Sequence, residues 1–162
     1  MVIRKKYINI SLAVVCLALF IAIMASLMRP MSFNNSVRQR ESEVMERLMT
    51  IRGAEARYRG VNGLRFCPSV DSLVMHGYMP DSVKYIPYTD GKKFEIDVST
   101  IQGQSGNPVS VMECRAHYRD YLKGLDEEYI EELVREAEQQ GRYPGLKFGD
   151  LKVASNNAAS WE

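Results

Sequence analysis

The chain has 162 residues, and its 21 basic and 20 acidic side chains leave a formal net charge of +1. That length suffices for one domain of ordinary size. The balanced charge excludes a nucleic-acid-binding surface spread over the whole chain. A hydrophobic fraction of 46% is normal for a globular protein and excludes disorder as the default state.

Residues 7–28 form an apolar run without a charged side chain. As a helix rising about 1.5 Å per residue, the run is roughly 33 Å long, which matches a hydrocarbon core of about 30 Å. It is longer than the core of about 7–15 residues in a cleaved signal peptide. The sequence Leu27, Met28, Arg29, Pro30 offers no small-residue cleavage site. We therefore predict an uncleaved transmembrane helix over residues 7–28, in contact with membrane lipid.

The basic residues beside this run predict its orientation. Arg4, Lys5 and Lys6 crowd the first end, whereas Arg29 alone lies close to the other. Because loops rich in Lys and Arg stay in the cytoplasm, residues 1–6 are predicted to be a basic cytoplasmic end. Residues 36–162 then form an extracytoplasmic domain. In a bacterium this places a single-pass protein in the inner membrane with its domain in the periplasm.

The next element is a long amphipathic helix. We expect Pro30 to stop or kink the first helix, and Ser36 with Gln39 three residues later provides a start signal. Apolar side chains then recur every seven residues, which predicts a helix of about 25 residues with a solvated charged face. We favour packing on the protein's own sheet over a two-stranded coiled coil, because the facing positions include Glu41 and Glu55. The stripe consists of Val37, Val44, Ile51 and Tyr58, with Leu48 and Ala54 beside it.

The remaining elements are short. A second helix over residues 69–76 is followed by Gly77 as its cap. The alternation around Ile96 predicts a half-buried strand, and residues 109–116 predict an antiparallel neighbour. Asp126 is expected to cap a further helix, and the Gly- and Asn-rich end to lie over the domain surface. This order predicts an α+β fold: an N-terminal transmembrane helix that continues into the long amphipathic helix, which packs on a small antiparallel sheet, with a further C-terminal helix.

The three cysteines and two histidines provide few candidates for a disulfide or a metal site. Cys16 falls in the predicted membrane helix, so Cys67 and Cys114 are the candidates for a disulfide in an exported domain. Two buried free thiols are the alternative reading. His76 and His117 are too few for a zinc site, and no metal-binding spacing is present. We expect no cofactor and no metal.

The sequence contains no Walker A, G-x-G-x-x-G or G-x-S-x-G motif, so we expect no enzyme and infer no small-molecule substrate. The remaining candidates are residues for contact with proteins. Val37 and Val44 lie on the half of the long helix nearest the membrane, where a partner helix is expected to pack. Tyr78, Tyr85 and Tyr88 lie in a turn-rich stretch that is able to form a binding surface, and packing of two of them in the core is the favoured alternative.

Residues 51–80 resemble the junction between helix and domain in type II secretion pseudopilins and related type IV pilin-like proteins. Members of this family carry an Ala…Tyr pair on the long helix, then an Asn-Gly turn, then a short helix centred on Leu. Here the matching residues are Ala54, Tyr58, Asn62-Gly63 and Leu73. The resemblance implies a pilin-like domain after a membrane helix.

The assembly chemistry of pilins does not follow from this resemblance. Their cleavage site is a Gly ahead of the apolar segment, with Glu at the fifth mature position, whereas the first Gly here is Gly53 and the first acid is Glu41. The chain also resembles a family of uncharacterised bacterial single-pass membrane proteins. The segments that carry this second resemblance are YIPY, YLKGLD, YPGLKFGDL and NNAASWE.

These observations favour a non-enzymatic, membrane-anchored structural or accessory subunit of a bacterial envelope complex, secretory or pilus-like, with protein partners. A membrane-tethered periplasmic module that binds a ligand or peptide is the alternative. An enzyme of unrecognised type ranks last, and no nucleic-acid partner is expected.

Overall fold

The computed structural model describes residues 2–103 and 106–162, apart from the side chains of residues 2–10 and 25–30. The chain divides into two units, Met1–Val37 and Arg38–Glu162, and the second holds all of the sheet. Helix α1 spans Val2–Val61 and therefore belongs to both units.

Of the two expectations for Pro30, the stop is wrong, because α1 continues through this position. Proline removes one backbone hydrogen bond from a helix. A helix of 60 residues retains its hydrogen bonds on both sides of such a gap. Helix α1 ends at Val61, and Gly63 two residues later adopts the left-handed conformation with φ of 63°.

The first unit exposes its apolar side chains. Each large apolar residue described between positions 12 and 24 keeps between 43% and 63% of its surface accessible. Within the described part of the chain, no helix combines the length and the apolar character needed to cross a membrane. The side chains of residues 7–10 and 25–28, which belong to the predicted membrane helix, lie outside the described set.

The second unit is an α+β domain, as predicted. After α1 come the short helix α2, a 3₁₀ turn at Asp81–Lys84, two strands, two helices and a last strand. Asp126 Oδ1 accepts a hydrogen bond from the backbone N–H of Glu128 at 3.2 Å and so caps the last helix as expected. The elements are α2 (Val70–Met75), β1 (Glu95–Gln102), β2 (Pro108–His117), α3 (Tyr118–Tyr121), α4 (Glu127–Gln139) and β3 (Gly145–Gly149).

The sheet is antiparallel, in the order β1-β2-β3. Ile96 lies opposite Cys114, and Cys114 lies opposite Phe148, so these three side chains share one face. That face is buried. Glu95 and Arg115 lie opposite each other on the other face, which is charged.

The core contains the stripe of α1 and the inward-facing residues of the sheet. Val44, Leu48, Ile51 and Ala54 have no exposed surface, and on β2 Met112 is equally buried. These residues carry the apolar positions that the seven-residue repeat identified. The prediction that this part of α1 covers the protein's own sheet agrees with their burial.

The final segment does more than lie over the surface, which corrects the sequence interpretation. Residues 145–149 form β3, and two side chains of this strand, Leu146 and Phe148, are buried. Two glycines allow this close pairing. A Cβ on Gly145 would meet the carbonyl oxygen of Ala116, and a Cβ on Gly149 would meet that of Met112.

We expect Gly149→Ala to destabilise the domain by about 1–3 kcal/mol, the cost of a residue held in a strained backbone conformation. Gly149 has φ of 80° and no space for a side chain. Gly60→Ala is the matched control, since Gly60 is helical with open space around it; it should leave stability equal or slightly raised. Urea denaturation of both variants measures this, and equal midpoints would contradict the assignment of β3.

Candidate functional site

The charged face of α1 is not simply solvated, which corrects the sequence interpretation. Arg47 Nη1 donates to the carbonyl oxygens of Tyr85 at 2.6 Å and Ser82 at 3.2 Å. Arg57 donates to the carbonyl oxygen of Tyr78. These arginines hold the turn-rich stretch of residues 78–88 along the helix.

The three candidate tyrosines lie in different surroundings. Tyr78 stacks edge-on against Tyr58, with ring centroids 5.6 Å apart. Tyr85 is half-buried. Tyr88 is the exposed member; its hydroxyl donates to Glu43 Oε1 at 2.6 Å, and this hydrogen bond raises the pKa of the phenol. Tyr78 and Tyr88 lie along separate parts of α1, because the ring of Tyr78 contacts Tyr58 and the hydroxyl of Tyr88 contacts Glu43. The ring of Tyr85 lies instead beside Lys84.

The candidate partner residues on α1 are covered. Val44 has no exposed surface and Val37 keeps only 8%. A partner helix therefore has no free side-chain surface at Val44 in this conformation.

Cys67 and Cys114 are both buried, and both are free thiols in the structure. This is the alternative that the sequence left open. Burial raises the pKa of each thiol, and the nearby carboxylate of Glu55 raises both further. Because a thiol reacts as the thiolate, neither side chain is activated for nucleophilic chemistry at neutral pH.

Glu55 is the most unusual polar residue of the core. It lies on α1 with no exposed surface. Its Oε2 accepts a hydrogen bond from the backbone N–H of Cys67 at 3.0 Å, and its Oε1 has no partner among the described residues. Burial raises the pKa of this carboxyl from 4.5 to about 7, although the hydrogen bond from Cys67 opposes the shift.

Two of the concave surfaces among the described residues are candidate binding sites. The first, here called the polar groove, has a volume of about 320 Å³. It lies beside the charged face of the sheet and is rich in ionisable side chains. Its lining consists of Ile86, Lys92, Lys93, Glu95, Arg115, His117, Arg119, Asp120 and Tyr143.

The cations of the polar groove are already neutralised. Arg119 makes a bidentate pair with Glu131, with both N···O distances 2.8 Å. Lys92 contacts both oxygens of Asp120, at 2.9 and 2.8 Å. Arg115 lies 2.7 Å from Asp97. Lys93 lies 2.7 Å from Asp71. An anionic ligand would have to displace these carboxylates.

His117 does not supply a general base to the polar groove. Its Nδ1 accepts a hydrogen bond from the backbone N–H of Arg119 at 3.1 Å, so the neutral ring carries its proton on Nε2. Burial lowers the pKa of the imidazole, and the charge of Arg119 lowers it further. Burial raises the pKa of Tyr143, whose ring lies edge-on to His117, to about 12. Both side chains therefore offer donors at neutral pH.

The second concave surface, here called the arginine groove, is larger, at about 610 Å³. It lies between the end of α1 and the adjoining ends of β1 and β2. Its lining combines apolar side chains with two arginines and contains no carboxylate. It consists of Arg59, Gly63, Leu64, Arg65, Phe66, Val98, Thr100, Pro108, Val109 and Ser110.

Arg59 is held in place without a counter-ion. Its guanidinium lies over the ring of Phe66, 4.8 Å from the centroid, and its Nε donates to the carbonyl oxygen of Leu64 at 3.4 Å. The Arg65 guanidinium is exposed and has no carboxylate within ion-pair distance among the described residues. The terminal nitrogens of Arg59 and the whole Arg65 guanidinium therefore remain available to an anionic partner.

Leu64 marks the rim of the arginine groove. It has φ of 63°, a left-handed conformation that is uncommon outside glycine. Its side chain is 66% exposed. Strained, exposed residues of this kind concentrate at binding sites.

Sequence reasoning missed the arginine groove because its members come from three separate segments. The signal nearest to it was the sequence Gly63-Leu64-Arg65-Phe66 after the helix end, where apolar and basic residues follow a turn glycine. Nothing in that stretch indicated that it would face residues 98–110.

Among the described residues, no group of three His, Cys, Asp or Glu side chains is placed to hold a metal ion. Comparison with known protein families, curated proteins and solved structures finds no match for this chain. The resemblance to pseudopilins therefore stays a prediction.

Proposed function

We propose that the protein is a non-enzymatic, membrane-anchored accessory subunit of a bacterial envelope complex and presents its α+β domain to a protein partner. The observation that carries this proposal is the exposed apolar surface of α1 between residues 12 and 24. Surfaces of that kind on a single helix are stable when lipid or an apolar partner covers them.

The sequence supports lipid as the cover. The apolar run extends over residues 7–28 without a charged side chain and has basic residues at its first end. This pattern is typical of a membrane helix with a cytoplasmic N-terminus. A periplasmic position of the domain follows from the same charge pattern. Its pilin-like character is what the resemblance of residues 51–80 to pseudopilins implies.

The arginine groove favours a second candidate function, a membrane-tethered module that binds a ligand or peptide. It is a sizeable concave surface that combines apolar side chains with arginine donors, which is the composition of many binding sites. The neutralised polar groove and the unreactive thiols support neither function over the other, but they support a non-catalytic role.

We expect the full chain to float with phospholipid vesicles in a density gradient and to resist extraction by high salt. Leu17→Lys combined with Phe20→Lys should release it, because each charge at the centre of a membrane helix costs about 2.5–3.5 kcal/mol. Met31→Lys is the matched control, since Met31 is exposed on α1 beyond the predicted span; that variant should float. A wild-type chain that stays at the bottom of the gradient would refute the membrane anchor.

The same preparation distinguishes the two functions. Co-purification from mild detergent should recover a stable complex with other proteins if the chain is an accessory subunit. A lone chain that retains a small ligand would favour the binding module instead.

A further inference from the structure

We propose that the free edge of β1, together with the arginine groove, binds an extended acidic segment of a partner protein as an additional strand. The side chains of that segment that face the groove would include carboxylates for Arg59 and Arg65 and apolar groups for the floor. This inference rests on the proposed function, because it names the chemistry of the partner that the domain would hold.

The edge of β1 is open to a further strand. Among the described residues, β1 pairs only with β2, and it lies at the end of the sheet. Edge strands present unpaired N–H and C=O groups, and proteins protect them with charges or proline. Glu95 and Asp97 protect the first half of β1, but residues 98–102 carry neither a charge nor a proline. Ser99 and Thr100 are exposed there.

The unprotected half of β1 adjoins the arginine groove. Val98 and Thr100 belong to the groove lining, on the buried side of the sheet. In an added strand, alternate side chains would point toward that same side. Leu64 and Phe66 supply apolar contacts for some of them.

The two arginines determine the charge of the partner. The guanidinium of Arg59 is oriented by Phe66 and keeps its terminal nitrogens free, which suits a bidentate contact with a carboxylate. Arg65 adds a second positive charge, and no acid lines the groove. Asp150, which lies in the adjoining cleft with Arg59, is occupied by the backbone N–H groups of Lys152 and Val153.

A second copy of this chain is a poorer occupant. Pairing of two β1 edges in one continuous antiparallel sheet keeps the corresponding faces on the same side. The residues that the second β1 would turn toward the groove are Ile96, Val98 and Thr100, which carry no negative charge. Its acids lie on the opposite face, where Asp97 is 2.7 Å from Arg115. The arginines would stay without partners.

The test uses the full chain in a mild non-ionic detergent and a fluorescent peptide of about eight residues, the length of an ordinary strand. In this peptide threonine occupies every second position, and glutamate and leucine alternate at the others. One control peptide has lysine in place of glutamate. Two further controls carry N-methyl groups at alternate residues, one in each register, and so remove the donors for strand pairing.

We expect saturable binding of the glutamate peptide by fluorescence anisotropy and none of the lysine peptide. At least one N-methylated register should abolish binding. Arg65→Glu should weaken binding by about tenfold or more, because it replaces an attractive charge by a repulsive one. Arg135→Glu, the same charge change at an exposed position of α4, should leave the affinity unchanged.

Several results would overturn the inference. These are equal binding of the two peptides, an unchanged affinity of Arg65→Glu, or tolerance of N-methylation in both registers. A dimer of the full chain that Arg65→Glu dissociates would assign the groove to a second copy. A chain that floats with vesicles but does not bind the glutamate peptide refutes this inference alone. A chain that fails to float refutes the membrane anchor, whatever the peptide does.

Discussion

Replacing Ile51 by alanine should lower the free energy of unfolding of the Arg38–Glu162 unit by about 2–5 kcal/mol, the usual cost of truncating a buried aliphatic side chain. Ile51 lies on the stripe of α1 and has no exposed surface. Its neighbours on the stripe, Val44, Leu48 and Ala54, are also fully buried, so a cavity at this position removes contacts from a close-packed core.

The matched control is Met49→Ala on the same helix, where the side chain is about half exposed. This change should stay within about 0.5 kcal/mol. Arg47→Glu, a natural choice of control from the sequence, is unsuitable because Arg47 donates to two backbone carbonyls. Urea denaturation followed by the fluorescence of Trp161, the only tryptophan, measures the difference. An Ile51→Ala chain that unfolds like the wild type but loses its complex would show that the stripe is an assembly surface.

The elements with regular apolar spacing could be predicted from the sequence. The seven-residue stripe identified α1 from position 37 to 58. Alternation identified β1 around Ile96 but not its last three residues, whereas β2 was predicted within one residue of both observed ends. In each case the spacing of the apolar residues shows which side chains face the core, and that spacing differs between a helix and a strand. The α+β class follows from the order of these elements.

The elements without such spacing could not be predicted. β3 has five residues, and glycine occupies both of its ends. Glycine usually weakens a strand, but at these two positions the neighbouring backbone approaches too closely for any side chain. The four-residue helix α3 is too short to show a helical repeat.

The sequence also could not predict which residues the charged side chains contact. Arg47 and Glu43 look like ordinary solvent-facing residues of an amphipathic helix until the stretch 78–88 is placed beside them. The arginine groove likewise depends on which strand ends meet the end of α1. The burial of Glu55, in contrast, could be inferred from the sequence, because this residue lies seven residues after Leu48 and four after Ile51 on the apolar stripe. An acid at such a position indicates a buried carboxyl.

The burial of Glu55 leads to the second large effect that we expect. The carboxyl has a pKa of about 7 in the folded protein, against 4.5 when exposed. The folded state therefore holds this proton more tightly than the unfolded state does. Below pH 4.5 the carboxyl is protonated in both states, and the stability of the folded protein is at its highest with respect to this group. Between pH 4.5 and 7 the unfolded state loses the proton first, so stability falls as the pH rises, and above pH 7 it levels off.

The size of the loss follows from the difference of the two pKa values, at about 1.4 kcal/mol per unit, and comes to about 3 kcal/mol. Glu55→Gln removes this titration. The Gln side chain can still accept the hydrogen bond from the Cys67 N–H, but it buries an amide whose N–H groups lack partners, so we expect a constant penalty at every pH. The stability of Glu55→Gln relative to wild type should therefore rise by about 3 kcal/mol between pH 4.5 and pH 8.

Urea denaturation of both chains across that range isolates the contribution of Glu55, since all other titrating groups are shared and cancel in the difference. Glu46 is an exposed acid on the same helix. The free energy of unfolding of Glu46→Gln should therefore differ from that of the wild type by the same amount throughout this pH range. Amide hydrogen exchange adds a local readout, because the N–H of Cys67 is bound to Glu55. Its protection should fall with pH in the wild type, beyond the intrinsic change, if the ionised carboxyl loosens the segment that carries Phe66 and the arginine groove. Parallel curves for wild type and Glu55→Gln would mean that water reaches the carboxyl and that Glu55 is ionised in the folded domain at neutral pH.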